Sequence, residues 1–285
     1  MMKFASNLIK LIIIIFYKIQ PKISYILINK LIAFLYSKTI SSKESKVYSK
    51  LYYFLNRLLG NYKFFNPDDL LVKSISRKMS SSKEIKYFDI GGEEGLYFDL
   101  LNKHIKNIQE AYLFELDAIN YKILKYKYEI FDNVKVINIG FSTKSQRVKI
   151  YSRFPGSQEY EIYKSEKEPL SPYEQMVNFE TLDEYYLKNL SGKNIDYLNI
   201  NYKEDSLKIL LSGKSVLPNF KLITFTVKEI SSDENKNLNK CINLFASNNF
   251  ELFKFSELGL IKIDVKNKLV PIKNNFYSKF VAIRK

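Results

Sequence analysis

One cysteine, Cys241, one histidine, His104, and no tryptophan occur among 285 residues. A lone cysteine excludes an intrachain disulfide framework and any cysteine-cluster zinc site. The lone histidine confines histidine-based triads and multi-histidine metal centres to a single position. That position lies among Asn102, Lys103 and Lys106 and reads as a solvated surface residue. Acids are also scarce, 30 against 45 Lys and Arg, so the net charge is +15. Unbroken apolar runs are short. Leu11 to Tyr17 is bounded by Lys10 and Lys18 and cannot span a bilayer, which takes about 20 residues.

What is present bounds the architecture. A hydrophobic content of 46% in this length suits one domain of ordinary size plus an appendage. The charge is uneven: residues 1–60 hold ten Lys or Arg against one acid, Glu44, and so carry +9 of the +15. We divide the chain into a basic amphipathic segment over 1–40, a helical lead over 41–83 and a main domain over 84–285. In the first, Lys3, Asn7, Lys10 and Lys18 fall near one helical face and Pro21 ends the segment. A second apolar piece runs from Ile23 to Tyr36. Two readings fit: helices lying in the interface of an anionic membrane, lysines toward the headgroups, or a two-helix cap on the domain's own sheet. The thin positive start and the lack of an A-x-A-like site argue against a cleaved signal peptide. Tyr48 to Leu59 and Asp68 to Met79 also have helical character, the latter with acids at its start.

The main domain is organised by Tyr87-Phe88-Asp89-Ile90-Gly91-Gly92-Glu93-Glu94-Gly95. An apolar strand ends in an acid, then turns through glycines into a helix. Glycines let backbone approach a ligand, and the N–H groups of a helix start attract anionic or polar groups, so this is a nucleotide-type corner. Some 20 to 30 residues on, where a doubly wound fold sets an acid against a ribose, Ala111 to Phe114 leads into Glu115. The alternative is that Glu115 caps the next helix. A helical stretch from Ile119 to Phe131 and a third run, Val134 to Ile139, complete three strands alternating with two helices, which predicts an α/β fold with a mostly parallel sheet. Val148 to Tyr151 alternates like a short strand. Ser152 to Pro172, with Pro155, Gly156, Pro169 and Pro172, reads as a long surface loop suited to acceptor contacts. Asp196 to Ile200 is the fourth core strand, Leu222 to Val227 the fifth. A helix over Asn237 to Ser247 and strands near Glu251 to Phe255, Leu260 to Val265 and Phe280 to Ile283 follow.

These residues resemble the FkbM-type S-adenosylmethionine-dependent methyltransferases. Asp89 to Gly95 resembles that family's D-x-G-A-N-x-G, Phe114-Glu115 its F-E-P, Val136 to Ser142 its third strand, and Glu180 to Tyr185 its T-L-D-E element. Ile195 to Gly213 aligns without gaps to I-D-x-I-K-x-D-V-E-G-x-E-x-x-V-L-x-G. The resemblance spans about residues 84 to 265. It implies a Rossmann-like, doubly wound sheet of seven strands, S-adenosyl-L-methionine as cofactor, and cofactor contacts from Asp89, Gly91, Gly92, Glu93, Gly95, Glu115, Leu116 and Ser142.

The chain departs from the pattern at Gly92, Glu93 and Leu116, and most heavily at Asn199 to Ser206, where the lysine and all three acids are replaced. Methyl transfer to a hydroxyl needs a near-attack geometry and a proton acceptor. The candidates at that block are Asn201, Lys203 and Glu204. Asn201 is no base at neutral pH, Lys203 needs desolvation to become one, and Glu204 needs a one-residue bulge to take the missing acid's place. The alternatives are a polar strand end without chemistry, and Glu204 or Asp205 capping the next helix.

The resemblance therefore implies an O-methyltransferase acting on a glycan, glycolipid or small-metabolite hydroxyl, and the basic lead adds the expectation of a cytoplasmic protein peripheral on a membrane. The rewritten block motivates a rival, an inactive scaffold on the same fold, and the basic charge a second, an RNA binder or RNA methyltransferase. Charge gathered beside an apolar lead argues against nucleic acid.

Overall fold

A computed structural model describes residues 67–79, 84–152, 156, 160–162, 173–202, 206–228, 232–256, 259–263 and 277–285. The expected helices of residues 1–40 and of Tyr48 to Leu59 lie outside the described residues. The chain divides into two compact units, Leu71–Ser256 with Leu260–Lys285, and Met1–Leu70 with Glu257–Gly259. No helix among the described residues is long and apolar enough to cross a membrane.

The expected alternation of strands and helices is present. Helix α1 (Pro67–Met79) precedes β1 (Ile85–Ile90), α2 (Leu96–His104), β2 (Ile108–Phe114), α3 (Ala118–Tyr128) and β3 (Val134–Ile137). After a small inserted sheet come α4 (Leu182–Asn189), β8 (Ile195–Ile200), α5 (Ser206–Ser212), β9 (Phe220–Lys228), α6 (Ser232–Ser247), β10 (Phe250–Ser256), β11 (Gly259–Lys262) and β12 (Tyr277–Arg284). The main sheet has the order β11-β10-β12-β9-β8-β1-β2-β3. Strands β3, β2, β1, β8 and β9 are mutually parallel, and β12 runs antiparallel between β9 and β10. The fold is thus Rossmann-like and doubly wound. It has eight strands where seven were expected, because β11 folds back on β10, with the Ile263 N–H donating to the Leu252 carbonyl at 2.8 Å.

Strand parity explains the two layers. On β1, Phe88 and Ile90 point to one face, packed with Leu182, Tyr185, Leu207, Leu210, Cys241 and Phe245 of α4, α5 and α6. Tyr87 and Ile85 point to the other, with Leu71, Ile75, Phe98, Leu101 and Leu124 of α1, α2 and α3. Strands buried on both faces read as near-continuous apolar runs, as β1, β2 and β8 do. Cys241 is fully buried and its thiol is pushed up to about 12 by burial, which leaves it an inert core residue.

The inserted sheet, β4 (Gly140–Phe141), β5 (Gln146–Ser152), β6 (Tyr160–Ile162) and β7 (Tyr173–Glu180), has the order β4-β7-β5-β6. It corrects the expectation of one surface loop from Ser152 to Pro172: Ser152 ends β5 and 160–162 form a strand paired with Ile150, Tyr151 and Ser152. Leu116, Ile150, Val177 and Phe179 make a small core under this sheet. His104, expected on the solvated surface, is half-buried as the last residue of α2.

Candidate functional site

Sheet order sets the place. The chain winds outward from β1 through β2 to β3, and from β8 through β9 in the other direction, so the switch point lies between β1 and β8. In open α/β sheets the crevice beyond the carboxyl ends of the strands at this point takes the ligand.

The glycine turn is pinned to β2: the Gly91 and Gly92 N–H groups both donate to the Phe114 carbonyl, at 3.0 and 2.9 Å. Gly91 and Gly95 have φ of +83° and +79°, the left-handed region that a β-carbon disfavours. A β-carbon on Gly95 would also lie 2.6 Å from the Tyr128 ring. Gly92 stands where the resembled motif has alanine, and a β-carbon there would meet Leu124 Cδ2 at 3.0 Å, so its absence lets α3 close on the loop. Gly95 opens α2, and the Tyr128 hydroxyl lies 2.6 Å from Asp99 Oδ1 and 3.0 Å from the Gly95 carbonyl, with its one proton to share between these two acceptors.

Glu115 follows β2 and is 6% exposed. Its Oε2 accepts from the Glu93 N–H and its Oε1 from the Asp117 N–H, both at 2.8 Å. Burial pushes its carboxyl up to about 7, against the two N–H bonds that favour the charge. It does not cap α3. Asp117 does, its Oδ1 accepting from the Ile119 and Asn120 N–H groups, while its Oδ2 accepts from Gln175 Nε2 of β7 at 2.8 Å. Each Glu115 oxygen uses one acceptor position on the backbone and keeps another.

Asp89 is 1% exposed and also pushed up to about 7, by burial, with the Asn199 bond opposing. Its Oδ1 accepts from Asn199 Nδ2 at 2.8 Å, while Oδ2 faces the buried Tyr87 hydroxyl, and neither of those two atoms has another hydrogen-bond partner among the described residues. Asn199 Oδ1 in turn accepts from the Thr224 hydroxyl at 2.6 Å. That hydroxyl is 2.8 Å from the Tyr197 hydroxyl, which is 2.5 Å from that of Tyr97. One proton per hydroxyl fixes the direction: Tyr97 donates to Tyr197, Tyr197 to Thr224, Thr224 to Asn199 and Asn199 to Asp89. Such a connected network beneath the glycine turn holds Asp89 in one rotamer.

From β8, the Asn201 N–H donates to the Ile90 carbonyl at 2.9 Å, and Asn201 Nδ2 donates to Glu93 Oε1 at 3.2 Å. The Glu93 to Asn201 contact therefore bridges the switch-point crevice. Glu93 is a non-glycine residue at φ +49°. The half-buried Tyr202 ring lies against Gly91, whose added β-carbon would stand 3.1 Å from Tyr202 Cδ2. Lys203 and Glu204, and the proposed capping by Glu204 or Asp205, lie outside the described residues.

The structure thus gathers Asp89, Gly91, Gly92, Glu93, Gly95, Glu115 and Asn201 into one corner. It takes Leu116 out of it: the side chain is 2% exposed and taken up by the core under the inserted sheet. Ser142 is half-buried after β4, its N–H donating to the Glu180 carbonyl at 3.0 Å, and it makes none of the corner's bonds. Sequence reasoning missed Asn199 as the partner of Asp89. The signal was parity: Asp89 and Asn199 are register partners, so two polar residues in two apolar strands face the same way. It also missed Asn138, whose Nδ2 donates to the Glu115 and Leu116 carbonyls at 2.8 and 3.0 Å and ties the end of β2 to the segment after β3.

No protein-family profile and no curated protein sequence matches the chain. Among solved structures it is similar to the human methyltransferase 10 domain containing protein, with a TM-score of 0.45 at 11% identity over 76% of this chain and 82% of that one. It is also similar to methyltransferase FkbM from Methylobacillus flagellatus, with a TM-score of 0.44 at 12% identity over 70% and 44% of the two chains. The N-terminal domain of human METTL16 in complex with SAH gives a TM-score of 0.43 at 12% identity over 77% and 71%. The strand order, read from the chain itself, is what fixes the fold.

Proposed function

We propose that this chain is an S-adenosylmethionine-dependent methyltransferase, of O-methyltransferase type, acting on a hydroxyl of a glycan, glycolipid or small metabolite. The observation that carries it is the corner itself: a glycine turn at the switch point, with buried Asp89 and Glu115 at the ends of adjacent parallel strands. The donor supplies an electrophilic methyl on a sulfonium when bound. Glu115, with acceptor positions to spare, suits ribose hydroxyls, and the buried Asp89 fixes the end of β1 beneath the turn. Gly91 lets backbone approach without a side chain. The acceptor class rests on the motif resemblance, and a membrane contact on the basic residues 1–40. A second reading, a scaffold that keeps the fold without the reaction, draws on Tyr202, whose ring lies where a ligand would meet Gly91, and on Asn201 in place of an acid.

Calorimetric titration of the full chain with S-adenosylmethionine separates the two. Micromolar binding that is lost in folded Asp89→Ala and Glu115→Ala proteins supports the cofactor reading. A well-folded wild type that binds nothing leaves the scaffold. Transfer of labelled methyl to glycan rather than RNA fractions then tests the acceptor.

A further inference from the structure

We propose that Glu93 makes the corner selective for charge, binding a nucleoside sulfonium donor more tightly than the neutral thioether left after transfer. This rests on the cofactor reading above and adds to it the residue that tells donor from product.

Position comes first. Glu93 stands in the glycine turn, and its carboxylate crosses the switch-point crevice to Asn201 at 3.2 Å, so it lies where a ligand spanning β1 and β8 must pass. Its backbone is held at φ +49° by the bond from its N–H to Glu115 Oε2. A left-handed conformation costs a residue like Glu about 1 kcal/mol or more, and such outliers persist where the surroundings impose them.

Charge comes second. The Glu93 N–H binds Glu115 Oε2, and the Glu93 carboxylate adds to burial in opposing the ionisation of Glu115 and Asp89. Asp89 is 1% exposed, and its second oxygen lies beside the buried Tyr87 hydroxyl, so this carboxyl is a fixed part of the turn's interior and Glu93 is the acid of the three that reaches the crevice. The described His, Cys, Asp and Glu side chains form no group of three suited to a metal ion. The Glu93 carboxylate would favour a cation bound in the crevice, and a sulfonium carries its charge on sulfur until the methyl leaves.

Comparison with the resembled motifs sharpens the point. They place an amide in the glycine turn and a carboxylate at the end of the fourth strand. Here the turn has Glu93 and the strand end has Asn201, and the two side chains touch. The pair of groups is kept with its members exchanged, so the carboxylate absent from β8 is supplied from the turn.

The test titrates the full chain with S-adenosylmethionine and, separately, S-adenosylhomocysteine by calorimetry, in wild type, Glu93→Gln and Glu93→Asn. Asparagine tolerates the left-handed backbone and guards against misfolding of the glutamine variant. The wild type is expected to bind the sulfonium several-fold more tightly. Both variants should lose roughly five- to ten-fold for it, the size of one partly solvated charge contact, and less than about two-fold for the thioether. Equal losses for both ligands would overturn the proposal by assigning Glu93 to a group they share, such as the amino-acid ammonium. Unchanged binding of both would overturn it as well. A folded wild type that binds neither ligand would remove the cofactor reading itself, a result distinct from the other two.

Discussion

Asn199 occupies the busiest position in the polar network, donating to Asp89 and accepting from Thr224 while 5% exposed. Replacing it by leucine keeps the volume and strands both partners. Stability should fall by about 1–3 kcal/mol, measured as a lower urea midpoint at unchanged m-value. Asn199→Asp is expected to be worse than leucine at neutral pH, because it sets a second carboxyl against Asp89. At Gly95, alanine meets both a φ of +79° and the Tyr128 ring, so Gly95→Ala should cost roughly 1–3 kcal/mol and lower the melting temperature. An alanine variant as stable as wild type would mean that the turn is not built this way. Asp89 and the glycines were legible in the sequence because their chemistry is tied to short spacings within one strand-turn-helix, and Glu115 because a doubly wound fold sets an acid at that distance at the end of the next strand. Asn199 was not, since its partner lies 110 residues away and only strand register joins them, nor was Asn138, whose side chain binds backbone carbonyls that carry no mark in the sequence.

At the scale of elements, the helix starts bear distinct loads. Asp117 caps α3 and also anchors it to Gln175 of the inserted sheet, whose Oε1 accepts from the Ala118 N–H at 3.0 Å. Asp117→Ala should therefore cost more than an isolated cap, about 1–2 kcal/mol or above, and should raise amide exchange in β5 and β7 more than in β8 or β9. Uniform exchange across both sheets would show that the cap does not hold the insert. The Thr181 hydroxyl accepts from the Glu184 N–H at 3.1 Å and caps α4 without a bond to the strands β5 and β7, which makes Thr181→Ala the comparison. The main strands were legible to within about three residues at their ends, since burial on both faces makes their centres largely apolar. The insert was not. Strands β5 and β7 alternate exposed Arg147, Lys149, Glu174, Met176 and Asn178 with inward residues, and the short β6 lies in a stretch dense in charge.

For the whole molecule, the two buried carboxyls set a pH dependence. Asp89 and Glu115 titrate at about 7 when folded and near their ordinary values, about 4, when unfolded. Between those limits the folded chain holds more protons than the unfolded one, so stability is greatest below the unfolded values and declines as pH rises toward 7, then levels. Glu110, Glu184 and Glu251 are shifted the opposite way, and what they contribute is lost only as pH falls below the ordinary glutamate range. At constant ionic strength, the urea midpoint should thus be higher near pH 5.5 than near pH 7.5, and Asp89→Asn should flatten the difference. A midpoint that rises over that interval would contradict the protonated assignment.

The antiparallel strand β12 lies between β9 and β10, although it comes after both in the chain. Synthesis on a ribosome releases β10 and β11 before the strand that joins them to the rest of the sheet. Until residues 277–284 emerge, β9 presents an open hydrogen-bonding edge with Phe225 and Val227 beside it, and the hairpin that will become the sheet's border has nothing to border. The nascent protein therefore passes through an interval in which chaperone capture competes with completion, and slow translation near the last strand would lengthen it.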